Sequence, residues 1–241
     1  GTLCNGDKCQ PFTAVFLRGD SLVLEMADYA AAITGRLAGD SLTGSYRNVG
    51  NRGPRVIPFR AARGRWPVSR APDRLVGRWD AVWIGDFGSS PRVIELRNGG
   101  AGLEGTIISN TGDYGHFAGT ATGDSFAIAH FDGSYVYLLT GVLGGGDGAP
   151  DTLRGIFHAG LRTQTRWIAV RSTGKPHLKA VTENTQADTT TPFRFAFPDL
   201  EGRVVTERAR HLHLPVAHGW RACVKTSAHV NLRRRREMQR N

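Results

Sequence analysis

Cysteine is scarce: Cys4, Cys9 and Cys223 are the only three in 241 residues, too few for a disulfide-rich scaffold or a four-thiolate metal site. No apolar run approaches the ~20 residues that a membrane-spanning helix needs. No basic-then-apolar leader precedes the first strand pattern either. The chain begins at Gly1 and enters that pattern almost at once, which reads as a truncated or processed N-terminus. Lysine is nearly missing as well. Lys8, Lys175, Lys179 and Lys225 are all there are, leaving 27 arginines (31 − 4). Phosphate binding has no need of that skew, and GC-rich codon usage accounts for it. The glycine-rich run from Gly144 to Gly148 lacks the Lys-Ser/Thr and helix of a phosphate loop, so it reads as a hairpin connection. No cofactor is expected.

What is present is turn chemistry and an uneven charge. The chain carries 31 glycines, in keeping with many tight turns, and a hydrophobic content of 40%, ordinary for a globular protein. Of the net charge of +10, residues 207–241 hold +7 (nine Lys+Arg against two Asp+Glu), so the other 206 residues carry only +3. The run Arg233 to Arg236 offers phosphate contacts through charge, but no stacking aromatics accompany it, and nucleic acid is not the expected partner.

From Ser109 to Arg171, alternating apolar residues are cut by Gly123-Asp124, Asp132-Gly133 and the Gly144 run, the pattern of successive antiparallel hairpins. Residues 12–62 hold five more strand candidates, FTAVFL, SLVLEM, YAAAITGRL, SLTGSYR and RVIPFRAA. The two stretches align. Thr34-Gly35 lies over Thr140-Gly141, Leu42 and Gly44 over Leu153 and Gly155, and Tyr29 over Tyr135. An internal duplication follows, its first copy beginning partway through. Arg18-Gly19-Asp20 spells a cell-adhesion tripeptide, but its counterpart is Thr122-Gly123-Asp124, so it reads as a tight turn.

The expected fold is all-β: an antiparallel up-and-down barrel or curved sandwich of about eight strands over 74–172. A partial copy occupies 1–62, a linker 63–73, a polar linker 173–194, and an irregular basic tail 207–241. Cys4 and Cys9 suit a short-range disulfide in an exported protein, with inert thiols or a metal role as alternatives. Two thiols without a nearby histidine leave zinc short of ligands, and no metal is expected. His116, His130 and His158 fall near Asp113, Asp124 and Asp132, but at alternating positions open to solvent, where turns account for the aspartates. His211, His213, His218 and His229 lie in the tail. No catalytic residue is assigned.

Two resemblances bear on identity. Gly77-x-Trp79 on the first strand, with arginines on the last, resembles the G-x-W signature of lipocalin-type (calycin-like) barrels. That resemblance implies a closing pair of Trp79 and Arg171 and an interior including Trp79, Trp83 and Trp167, able to take a small apolar ligand. Plain core packing of the tryptophans is the simpler reading. FRFAFPDLEGRVV over 193–205 resembles the entry into the catalytic domain of TlpA-like thiol-disulfide oxidoreductases and related redoxins (AhpC-TSA peroxiredoxins), through Phe195, Phe197, Pro198, Asp199, Leu200, Gly202 and Val205. The preceding β region, especially GDYGHFAGTATGDSFAIAHFDGSYVYLLTG, is similar to that of exported members. The resemblance implies an exported protein (periplasmic, cell-envelope or secreted) with a redox partner protein. It also implies a W-C-x-x-C downstream, of which the chain has only the lone Cys223. The segment after Thr206 reads as an out-of-frame or disordered basic tail, leaving this chain a non-catalytic accessory region.

Overall fold

The computed structural model describes residues 1–50, 53–64, 69–86, 88–146, 148–180, 183 and 195–206. The tail from 207 onward, with its cysteine, histidines and arginine run, lies outside the described residues, as does most of the polar linker. The chain divides into two compact units, Gly1–Leu178 and Lys179–Asn241.

The first unit is all-β. Eight strands form a closed antiparallel barrel: β8 (Gly77–Gly85), β9 (Gly88–Gly99), β10 (Gly102–Ser109), β12 (Phe117–Thr122), β13 (Ser125–Phe131), β14 (Val136–Gly146), β15 (Ala149–Ala159) and β16 (Thr163–Arg171). Each pairs with its neighbours, and the first pairs with the last, β8 with β16. The two-residue β11 (Gly112–Asp113) folds back on the end of β10. Strand alternation sends one face inward. On β8, Trp79, Ala81 and Trp83 are buried while Arg78 and Ile84 face out. Between Gly144 and Gly146 the β14–β15 register slips by a bulge, so most of the glycine run expected as a connection belongs to the strand.

The core holds Trp79, Trp83, Trp167, Phe117, Phe126, Leu139 and Leu153. Ala71, from the stretch expected to be a linker, and Leu75, just after it, belong to the same core. Asn98 grips the Ala71 backbone on both sides (Nδ2 to Ala71 O 3.1 Å, Ala71 N to Oδ1 2.8 Å), and Ser69 Oγ donates to Ala121 O. Residues 69–76 are thus an ordered plug on the barrel, held because leaving two apolar side chains in water would cost about 1.5–3 kcal/mol for the leucine alone.

Ahead of the barrel lie a small hairpin, β1 (Thr2–Asn5) with β2 (Lys8–Pro11), and a five-stranded antiparallel meander of β3 (Ala14–Arg18), β4 (Ser21–Met26), β5 (Ala31–Ala38), β6 (Ser41–Gly50) and β7 (Gly53–Ala62). The hairpin strands were not expected from the sequence, where only a turn was legible. The meander repeats barrel geometry in detail. Gly35 faces Gly44 as Gly141 faces Gly155. In both pairs the neighbouring backbone comes so close that a Cβ on Gly44 or Gly155 would sit 1.9 Å from a threonine carbonyl oxygen. Leu37 N donates to Asp20 O at 2.7 Å, and Leu143 N to Asp124 O at 2.8 Å. Gly19 and Gly123 take φ of 60° and 56° at the matching turns, which only glycine adopts without strain. Arg18-Gly19-Asp20 is therefore turn chemistry, with Asp20 engaged by Arg36.

The meander stays open, with β3 and β7 at its edges, and docks one end on the barrel. Met26, Ala31 and Tyr46 are buried against Phe131 and Val136. The β13–β14 turn is the point of attachment: Tyr46 Oη donates to Gly133 O at 2.6 Å and Gln10 Nε2 to Asp132 O at 3.0 Å. Asp132 Oδ1 shapes that turn by accepting from Ser134 N and Tyr135 N.

In the second unit, β17 (Ala196–Pro198) pairs with β18 (Val204–Thr206). Asp199 organises the turn: its Oδ1 accepts from Glu201 N (3.0 Å) and Arg203 N (2.8 Å), and Gly202 takes φ 82°. The Pro-Asp-Leu-x-Gly wording thus has a local physical reason. Tyr46→Phe removes a buried hydroxyl bond and leaves the Gly133 carbonyl without that partner. We expect a loss of about 1–2 kcal/mol in chemical denaturation, with no change in the far-ultraviolet spectrum of the barrel.

Candidate functional site

At one end of the barrel, β8 and β16 bring Trp79 opposite Arg171. The guanidinium carbon lies 3.8 Å from the Trp79 ring centroid, a cation–π contact over a fully buried indole. Arg171 also donates to the carbonyls of Val76 (2.6 Å) and Arg74. Trp79 Nε1 donates to Leu75 O at 3.0 Å, so the plug and the ring hold each other. The glycine of Gly77-x-Trp79 has a cause here: its φ is 121°, and a Cβ would meet Arg171 Nη1 at 2.8 Å. Asp151 accepts from Arg74 and Arg171. The Arg74 hydrogen bond, with help from Arg171, holds its carboxyl below the ordinary carboxylate range.

Trp83 and Trp167 stack deeper in the interior, with ring centroids 5.8 Å apart, flanked by Phe157 and Phe126. Among the described residues, the clefts of about 440, 560 and 650 Å³ are lined by other residues, and none includes Trp79, Trp83 or Trp167. The three tryptophans are packed core.

A second set of aromatics, Tyr114, Tyr135, Tyr137, Phe117 and His130, is stacked beside the 440 Å³ cleft. Here one sequence expectation is corrected. His130 is buried, at 8% exposure, because its ring packs against both Phe117 and Tyr137 and its Nδ1 bonds His116 O at 2.8 Å. Its Nε2 is 3.6 Å from Asp132, whose other oxygen is committed to the turn. Among the described residues no serine or threonine side chain hydrogen-bonds a histidine, so no nucleophile–base pair is assembled. His158 lies apart on β15, partly buried.

Cys4 and Cys9 are directly opposite on β1 and β2 and form a disulfide. It ties a hairpin whose tip rests on the barrel, with Asn5 Nδ2 donating to His116 O at 2.5 Å. Asp7, at that tip, comes within 3.4 Å of His116 Nε2, and the buried Glu104 of β10 lies alongside. Sequence reading missed this cluster because Asp7 lies about 100 residues from Glu104 and His116. Glu104 alternates with the inward Leu103 and Ile107 and so reads as an ordinary outward-facing charge; it is buried on the outer face of β10, beside the hairpin tip.

Comparison with family models, curated proteins and solved structures found no match to the chain.

Burial pushes Tyr46 up to about 12, aided by the negative charge of Asp132. Burial does the same for Tyr137, to about 12, with Tyr135, Tyr114 and Asp132 adding. An unfolded chain loses these protons near pH 10. The stabilisation is therefore complete below about pH 10 and lost as pH rises towards about 12. A denaturation midpoint that falls over that range, less steeply in Tyr46→Phe and Tyr137→Phe, is the expected result. Gly77→Ala should cost on the order of 1–3 kcal/mol from the positive φ and the Arg171 contact, read by the same denaturation.

Proposed function

We propose that this chain is a non-catalytic, β-rich accessory and binding region of an exported TlpA-like thiol-disulfide oxidoreductase or peroxiredoxin-like protein. Its part is to bind or position through its surface, the redox chemistry belonging to a thioredoxin-fold domain. One observation carries the reading: Trp79, Trp83 and Trp167 belong to one buried core, and both described cysteines are paired in a disulfide. The clefts described above are lined by other residues. The Phe-Pro-Asp-Leu-x-Gly hairpin that follows the barrel in sequence supports the family reading, and the Cys4–Cys9 bridge suits an oxidising compartment outside the cytosol. The filled interior weighs against the other reading, a free-standing barrel that binds a small apolar ligand inside.

Three measurements test this. The purified chain should reduce insulin disulfides no faster than reductant alone, and CxxC-like turnover would reject a non-catalytic role. Titration with an apolar probe such as anilinonaphthalene sulfonate should give no saturable tryptophan quenching. Saturable quenching weakened in Trp83→Phe would favour the ligand-binding barrel. The coding sequence beyond the Val205 codon, read in all three frames, should contain W-C-x-x-C, and its absence from every frame would remove the family assignment.

A further inference from the structure

Three side chains from distant parts of the chain converge where the disulfide-tied hairpin meets the barrel. Asp7, Glu104 and His116 each offer one donor atom, all within 4.8 Å of one another, with Asp7 Oδ1 3.4 Å from His116 Nε2. We propose that they form a binding site for a divalent transition-metal cation, zinc being the reference, which clasps the hairpin to the barrel.

The first support is Glu104. Its side chain is only 2% exposed, and Oε2 is fixed by Arg97 through Nε (3.1 Å) and Nη2 (2.7 Å). Oε1 is buried with no hydrogen-bond partner. A half-satisfied buried carboxylate is costly, and Arg97 orients it so that the free oxygen remains available. Space for the carboxylate is reserved at Gly99, where a Cβ would lie 2.1 Å from the Glu104 carboxyl carbon.

His116 supplies the second. Its Nε2 is buried and makes no hydrogen bond; its nearest acidic atom is Asp7 Oδ1 at 3.4 Å. Ligand atoms held about 2.1 Å from a tetrahedral zinc are about 3.4 Å apart. The hairpin is built to deliver Asp7 there. Gly6, with φ 64°, lets the tip lie so close to the barrel that a Cβ would be 2.6 Å from Ala118 Cβ. Asn5 anchors the tip from the other side.

Ligand chemistry selects the cation class. One imidazole nitrogen with two carboxylate oxygens suits zinc, manganese or iron(II), whereas calcium and magnesium favour oxygen alone. Two carboxylates against one guanidinium leave a net negative charge for a dication. Asp7 is partly exposed, which gives the ion a way in from solvent.

The test uses the untagged full chain, stripped with chelator and titrated with zinc chloride by calorimetry and thermal melting. One zinc per chain should bind and raise the melting temperature. His116→Ala, which removes a ligand outright, should weaken that binding by about 100-fold or more, at or beyond the upper end of an outer-shell change. It keeps the fold, because the Asn5 and His130 bonds are to the His116 carbonyl. Asp7→Asn, on an exposed tip, should weaken zinc binding while leaving the melting temperature of the metal-free chain unchanged. Absence of stoichiometric binding would overturn the proposal, leaving a bridging water as the occupant. Binding unaltered in both variants would overturn it too, and would locate the metal elsewhere, for instance on His211 and His213.

Discussion

The pairing of β8 with β16 is the constraint on which the rest of the first unit depends. It joins the first and last strands of a meander and so removes both edges of an eight-stranded sheet, which no sum of local hairpins could do. Closure puts Trp83 beside Trp167 and Trp79 beneath Arg171. It also encloses a space that must be filled, and the three indoles with Phe117 and Phe126 fill it. Burying a tryptophan is worth several kcal/mol, so the interior is a main source of stability.

The meander of residues 14–62 shows what happens to the same local chemistry without closure. Its turns and glycine pairs match those of the barrel, yet its sheet remains open, and Val15, Phe16 and Leu17 on the edge strand are exposed. Its own buried cluster is small and is completed by Phe131 and Val136 from the barrel. The Asp132-Gly133 turn has two jobs in consequence. It connects β13 to β14, and its carbonyls receive Tyr46 and Gln10. Gly133 is required for both reasons: φ is 94°, and a side chain there would strike the Tyr29 ring.

Legibility differed sharply between the fold and the candidate site. Strands β3 to β7 and most of the barrel are readable, because two-residue alternation and Gly-Asp turns are local properties. The hairpin β1–β2 was not, since four-residue strands without apolar alternation carry almost no pattern. In the sequence His130 reads as a solvent-facing histidine, because alternation marks which residues share a face but not which aromatics close over that face. Asp7, Glu104 and His116 are invisible as a group for a simpler reason: nothing local relates Asp7 to two residues about 100 positions away.

By itself the sequence determined the all-β class, the turns, the doubled pattern and the candidate disulfide, all of which depend on neighbours within a few residues. The tertiary structure alone decided that the second copy closes while the first stays open. It also decided that residues 69–76 plug the barrel, and that a hairpin tip brings a carboxylate to a partly buried histidine and a buried glutamate. Those outcomes rest on strand closure and on contacts between remote segments. Their free energy comes from burying apolar surface jointly, a property of the assembled sheet rather than of any stretch of chain.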